Sequence, residues 1–385
     1  MSSTIHQYFK ENDLFDHDRL IDHCDRHGVG YCAHPKYPHL LVLNYLSQVQ
    51  IHKIPWDNFN RRCRGLVVDL KYGIISQPFD KFYNLGEENE TSYENLIKKK
   101  ELICLEKLDG TMCSIFWHEF LNEWIVSTRG VFDNEYSIFA SDQFLNTLGN
   151  KELSKKYTLI FEIIAPQFRN IIDYGKKGYV PGIYLLAIRN RRNDIIYPFV
   201  GSFHHGLGIP EEIIIDKFLN TFKSPGIYPF PNLDAVIENV KTLSFTEEGY
   251  VLWFEDRTLV KIKSTEYLKA HKFLWDYSDD RVLELFEKGD EKILKEHLSN
   301  IPEEYEKEVL RVMYQAKKSE IEVIRKSYQW FAEAPKTSRK EFALWIQKNV
   351  PKEYLGFLFR VMDGKPISTN EIYHSFRNGA IEWRE

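Results

Sequence analysis

A charged cluster, Glu106-Lys107-Leu108-Asp109-Gly110, sits between two apolar runs in CLEKLDGTMCSIFW (104–117). A solvent-facing turn would explain it. So would a lysine held in a dry pocket for covalent chemistry. Four further charged islands occur in the same part of the chain: Arg64 in RCRGLVVD, Lys81 in QPFDKFYNLGE, Glu162 in LIFEIIAP, and Glu248 with Lys261 and Lys263 in EEGYVLWF and LVKIKS. Singly, each has an ordinary reading. Arg64 and Lys81 could be surface charges. Lys261 and Lys263, two apart on a strand, face the same way and could form a solvated face. Glu162 has apolar neighbours on both sides, and a carboxylate is rarely buried unpaired, so it could be a structural ion pair.

Taken in order, the islands describe one polar pocket at the ends of strands. A lysine is a nucleophile only when neutral, and its unperturbed pKa is near ~10.4. Desolvation and neighbouring cations favour the neutral form. Lys261, Lys263, Arg64, Lys81 and a bound metal would be those cations. They would also hold a triphosphate and stabilise a leaving pyrophosphate. Glu162 and Glu248 would orient a hydrated Mg²⁺ or Mn²⁺, since such ions prefer oxygen ligands and keep most of their waters. Lys107 attacking an α-phosphorus would then yield a lysyl–nucleotide phosphoramidate.

The elements that must position these groups are legible as patterns. From Leu40 to about Lys263, short β-rich runs are bounded by Gly, Asp, Asn or Pro, with helical stretches near Glu135–Leu148 and Asp234–Lys241. Residues 1–35 read as polar and partly helical. After about Glu266 apolar residues recur at three and four. Pro302 suits a first helical turn, and Ser338 with Glu341 three residues on suits an N-cap. The pattern is α+β over 1–270, then all-helical over 271–385. At 385 residues two domains are expected, and 43% hydrophobic with 28% charged residues is a globular balance. The net charge of −5 excludes a global basic field. Five cysteines with no CxxC pair argue for a reducing compartment. No h-region or long apolar stretch is seen, so a soluble, cytoplasmic or nuclear protein without membrane contact is expected.

At this point the sequence resembles the covalent nucleotidyltransferases, and within them the bacteriophage-type RNA ligase 1 family. The carrying stretches are CRGLVVD, QPFDKFYNLGE, EKLDGT, STRG, FEIIAP, YLLAIRN, EGYVLWF and VKIKS, in the family's order across roughly 40–270. A weaker likeness runs through SRKEFALWIQ and LGFLFRVMDG. The resemblance implies an ATP-grasp-like ligase domain of antiparallel sheets with flanking helices, followed by a helical RNA-specificity domain. It implies that Lys107 accepts AMP from ATP, with Asp109 orienting the pocket through the ribose or the lysine. Arg64 and Lys81 would contact phosphates, and Lys261 and Lys263 the α-phosphate. Glu162 would bind the ribose or the metal's waters, and Glu248 would hold the metal or assist Lys107. Glu106, Arg129 and Val251 would complete the nucleotide site, Val251 as a wall for adenine. Gly110 and Gly249 would permit close backbone approach. Two departures stand out. Arg129 replaces a frequent lysine, keeping the charge in a planar fork. Leu43 stands where a phosphate-contacting tyrosine is expected, so either Tyr45 substitutes for it or the contact is absent.

The implied activity is joining of RNA 5′-phosphate and 3′-hydroxyl ends through a lysyl-AMP and an RNA-adenylate, in RNA repair that could extend to tRNA. The protein would act as a monomer, with a separate kinase/phosphatase healing damaged ends. Basic stretches at Lys98–Lys100, Arg189–Arg192 and Lys336–Lys340 are candidate RNA contacts or solvated faces. A DNA ligase or mRNA-capping enzyme is the alternative, disfavoured because residues 270–385 lack the alternating pattern of a β-barrel. A non-catalytic RNA-binding protein on the same fold is another. His23, Cys24, His27, Cys32, His34 and His39 crowd the N-terminus, at spacings unlike the usual zinc sites.

Overall fold

The structure, a computed structural model, describes residues 4–50, 53–149, 153–200, 221–276, 279–289 and 303–383. The chain divides into two compact units, Met1–Lys269 and Ala270–Glu385.

The first unit holds three sheets. One is an antiparallel meander of β1 (Val29–Ala33), β2 (Leu40–Tyr45), β3 (Arg64–Asp69) and β4 (Gly73–Ser76). The other two build the site. The third sheet contains β5 (Tyr83–Asn84), β6 (Glu101–Glu106), β12 (Gly249–Phe254) and β13 (Leu259–Lys263), in the order β5-β13-β12-β6. The second contains β7 (Thr111–His118), β8 (Glu123–Thr128), β9 (Tyr157–Ile164), β10 (Gly182–Asn190) and β11 (Ile196–Pro198), in the order β11-β10-β9-β7-β8. Pairing is antiparallel except that β5 runs parallel to β13, a departure from the all-antiparallel expectation.

Strand alternation explains why the central runs look continuously apolar. Leu159, Phe161 and Ile163 of β9 pack with Cys113 and Ile115 of β7 beneath the helix Glu135–Leu148. The alternate residues, Ile160 of β9 and Met112 of β7, pack instead on Leu105 of β6 and Trp253 of β12. Both faces are covered, so neither can be polar along most of its length. The outer face of the third sheet buries Cys104, Tyr250, Leu252, Val260 and Ile262 with the helix Leu233–Val240.

The described residues of the second unit are helical: Asp279–Lys288, Glu303–Glu333, Arg339–Asn349, Leu355–Met362 and Thr369–Arg377, with a short 3₁₀ turn at Lys352–Tyr354. Their buried faces share one cluster built on Phe286, Val323, Phe342, Leu358 and Tyr373. Ser338 accepts from the Glu341 N–H at 3.2 Å, capping its helix. Pro302 lies outside the described residues. No helix among those described is long and apolar enough to cross a membrane.

Candidate active site

Lys107–Gly110 is where the chain leaves the third sheet at the end of β6 and enters the second at β7. A charged cluster between two buried strands is therefore a crossing between two layers. On each strand that faces the gap between these sheets, the inward row begins apolar and ends charged. On β6 and its extension the row is Ile103, Leu105, Lys107. On β9 it is Ile160, Glu162, and on β13 it is Leu259, Lys261, Lys263. Period-two alternation delivers all four charges to one end of the gap. There they line a cavity of about 670 Å³ together with Arg64, Glu106, Arg129 and Val251.

Glu248, buried at 3% exposure, precedes β12 and ties two of these lysines together. Its Oε2 lies 2.8 Å from Lys107 Nζ and its Oε1 2.9 Å from Lys263 Nζ. The Lys107 N–H donates to the Gly249 carbonyl at 2.9 Å, fixing the backbone of Lys107 to the same strand. Gly249 has φ +130°, and a Cβ there would sit 2.1 Å from the Ile262 carbonyl oxygen. The glycine is required because β12 and β13 approach closely beside the paired lysines. Gly110 behaves alike: a Cβ would fall 2.3 Å from the Ile163 carbonyl oxygen. Its N–H donates to Glu162 Oε1 at 3.1 Å.

The cavity is electrostatically strained. Burial pushes the Glu162 carboxyl up to about 7, opposed by Lys107 and reinforced by Glu248. Burial, with Lys81, Arg64 and Lys107 nearby, pulls Lys261 down to about 7. Burial also lowers the Arg64 guanidinium, which stacks 5.6 Å from the Phe82 ring. Arg129 lies 5.8 Å from the Tyr45 ring.

Two expected residues lie elsewhere. Lys81 lines a neighbouring cavity of about 510 Å³, pairs with Glu87 at 3.3 Å and sits over the rings of Tyr83 and Trp56. It acts on the main cavity through its charge beside Lys261. Asp109 does not line the main cavity. Its Oδ2 accepts from the N–H groups of Ile171 (2.9 Å) and Ile172 (3.1 Å). Its Oδ1 accepts from Asn170 Nδ2 (3.2 Å) and the Tyr267 hydroxyl (2.9 Å). With this many donors on one buried carboxylate, Asp109 holds the segment that follows Phe168 against the Lys107–Gly110 turn. The same segment holds Glu106, which takes hydrogen bonds from Lys177 at 3.4 Å and from the Tyr179 hydroxyl.

Sequence reasoning missed this strap (170–179) and Tyr267. It also missed Asn44, which lines the cavity with a buried Oδ1 that has no hydrogen-bond partner among the described residues. Leu43 packs into the apolar core, and Tyr45 sits against Trp56, 4.9 Å between centroids. The basic stretches are largely engaged internally. Lys99 and Lys100 pair with Asp256 and Glu255. Arg189 pairs with Asp80, and Arg191 donates to the carbonyls of Ile75 and Trp117. Arg339 pairs with Asp363. In the N-terminal cluster, His23 stacks on His27 at 4.2 Å and Cys24 is buried. Among the described residues no group of three or more His, Cys, Asp or Glu is placed to hold a metal ion.

A family model described as RNA ligase, of the phage T4 RNA ligase 1 type, matches residues 62–278, more than half of the chain. The chain belongs to this family. A putative RNA ligase of Thermovibrio ammonificans is 31% identical over 245 residues, covering 59% of this chain and 58% of that protein. A putative bifunctional polynucleotide kinase/RNA ligase of Autographa californica nuclear polyhedrosis virus is 27% identical over 276 residues, covering 65% of this chain and 36% of that one. The RNA ligase of Rhodothermus phage RM378 is 24% identical, with 59% and 64% covered. The chain thus spans between about a third and two thirds of the length of these relatives. An archaeal ATP-dependent RNA ligase structure aligns over 74% of this chain and 68% of its own, at a TM-score of 0.45 and 13% identity.

Proposed function

We propose that the protein is an ATP-dependent RNA ligase that seals 5′-phosphate to 3′-hydroxyl ends. The observation that carries the reading is the pairing of Lys107 with Glu248 at 2.8 Å at the edge of a cavity lined by Lys261, Lys263, Arg64 and Arg129. In the first step the Lys107 amine attacks the α-phosphorus of ATP. A P–N bond forms, the α–β anhydride bond breaks and pyrophosphate leaves. Glu248, already in contact with Nζ, takes the ammonium proton. Lys261, Lys263 and the two arginines stabilise the charge that develops on the phosphates. In the second step an oxygen of the RNA 5′-phosphate attacks the AMP phosphorus, and the P–N bond breaks as Lys107 regains its proton. In the third the 3′-hydroxyl attacks the activated 5′-phosphorus and AMP departs.

The donor set also suits a hydrated divalent cation. Both Glu248 oxygens face lysines and Glu106 takes Lys177 and Tyr179, which leaves Glu162, among the described residues of the cavity wall, as the carboxylate available to metal-bound waters. Such an ion, Mg²⁺ or Mn²⁺, would neutralise phosphate charge during transfer.

Residues 1–270 would form the adenylyltransferase domain and 271–385 the part that selects RNA, with tRNA breaks as one substrate. The baculovirus relative is named as a kinase/ligase, and a kinase/phosphatase activity supplied separately would prepare ends for this chain. We place the protein in the cytoplasm as a monomer. The test is incubation with Mg²⁺ and ATP or GTP labelled at the α-phosphate. Acid-labile, protein-linked label from ATP, absent in Lys107→Ala, is expected, and Lys107→Ala should still seal RNA whose end is already adenylylated. An adduct on Lys107→Ala would overturn the assignment, and label from GTP alone would indicate capping chemistry.

A further inference from the structure

The long helix Glu303–Glu333 buries one face and leaves the other to solvent. Val312, Ala316, Val323 and Ser327 are buried. The exposed residues recur at three and four: Arg311, Tyr314, Lys318, Ile321, Arg325, Tyr328, Ala332. From Arg311 to Tyr328 cations alternate with aromatic or apolar residues; Arg325 is held by Glu322 beside the row at 2.7 and 2.9 Å, so a phosphate there would compete with that carboxylate. Tyr314 is 73% exposed, Ile321 65% and Tyr328 46%, three large side chains left to solvent along one line of the helix. At 1.5 Å per residue, Arg311 to Ala332 spans roughly 31 Å.

We infer that this face binds single-stranded RNA, with bases stacking on Tyr314 and Tyr328 and phosphates meeting Arg311, Lys318 and Arg325. Rings interleaved with cations are what a flexible polyanion with stackable bases requires. The same spacing could seat a second copy of the helix. A self-paired seam would bring the three cations of this row against those of its copy, which disfavours that occupant. The inference rests on the RNA-ligase reading and adds to it the surface that holds the strand.

The experiment uses the full chain, a labelled twelve-nucleotide single-stranded RNA and fluorescence anisotropy across a salt series. Tyr314→Ala/Tyr328→Ala should weaken binding at least about tenfold with the salt slope unchanged. Arg311→Ala/Lys318→Ala/Arg325→Ala should reduce the slope by about 2, from ~0.7 per lost contact. Self-adenylylation should persist in both, reporting an intact first unit, and far-ultraviolet circular dichroism should match wild type. If wild type binds and seals RNA while both variants bind it equally well, this inference falls and the ligase reading stands. If wild type neither forms the adenylate nor binds RNA, the ligase reading itself falls. A loss of dimer in the tyrosine variant, seen by sedimentation, would assign the face to a second copy instead.

Discussion

Replacing Glu162 with Gln should make the protein more stable and less active, and the pH dependence of the stability gain is fixed by the structure. Glu162 titrates at about 7 in the fold against 4.5 for an ordinary glutamate, because burial penalises its charge more than Lys107 repays. A carboxyl whose pKa is raised on folding stabilises the fold only while it is protonated. Its contribution is present below 4.5 and is lost as pH rises through 7. The displacement corresponds to about 3 kcal/mol of destabilisation at pH 8 and under ~1 kcal/mol at pH 5. Gln has the same shape, keeps an oxygen to accept the Gly110 N–H, and carries no charge at either pH. Urea denaturation of the ligand-free proteins should therefore show Glu162→Gln more stable than wild type by about 3 kcal/mol at pH 8, with most of that gain gone at pH 5. Self-adenylylation runs the opposite way. The wild-type rate should fall as pH drops below 7 and the carboxylate is protonated, and Glu162→Gln should be slow and lack that limb. A stability gain that is absent, or equal at both pH values, would refute the burial argument. A fully active Glu162→Gln would remove the carboxylate from the chemistry.

Asp109→Asn should lower stability by about 2–4 kcal/mol, since it removes the charge that four donors satisfy, and Tyr267→Phe by about 1 kcal/mol, both read by denaturant melts. Gly249→Ala should cost more than ~3 kcal/mol, because the left-handed backbone and the Ile262 carbonyl both reject a Cβ; an unchanged melt would show that β12 and β13 can part freely. Lys261→Met should flatten the pH dependence of ATP affinity. Wild-type affinity should decline as pH rises from 7 to 9 and Lys261 loses its proton, and isothermal calorimetry reads the difference.

The charges that reach the cavity were visible in the sequence because each breaks an otherwise apolar strand at its end. Lys107, Glu162, Lys261 and Lys263 follow from alternation once the runs are assigned to strands. Asp109 shares the same turn as Lys107, and nothing in a turn's composition says which way a carboxylate points. Its direction is set by the N–H groups of Ile171 and Ile172, some sixty residues on. The strap itself, NIIDYGKKGY, has neither helical nor strand period, so its role depends wholly on tertiary contacts. Lys81 reads from its island as part of the same polar pocket, whereas in the ligand-free fold it lines the neighbouring cavity and pairs with Glu87, three residues beyond Asn84 in the turn after β5. Strand β1 was hidden because only Val29 of its five residues is buried, so the run VGYCA carries no apolar alternation for the eye to follow.

The two perturbed groups also constrain how the cavity responds to its ligands. Near pH 7 Glu162 and Lys261 are each about half charged, so the ligand-free protein avoids the full cost of burying either ion. A polyphosphate entering beside Lys261 favours its ammonium and should draw a proton in. A divalent cation beside Glu162 favours the carboxylate and should drive a proton out. With both titrations centred near 7, uptake at Lys261 dominates above that pH, where most of those amines are neutral. Release at Glu162 dominates below it, where most of those carboxyls are protonated. The net proton change on joint binding of metal and nucleotide should therefore reverse sign close to neutrality. Lys261→Met should lose the uptake limb and Glu162→Gln the release limb, each measured as its difference from wild type with an α,β-methylene ATP analogue that blocks transfer to Lys107. If both variants reproduce the wild-type proton balance, the ligands do not meet these two side chains, and the phosphate and metal positions assigned to them must be redrawn.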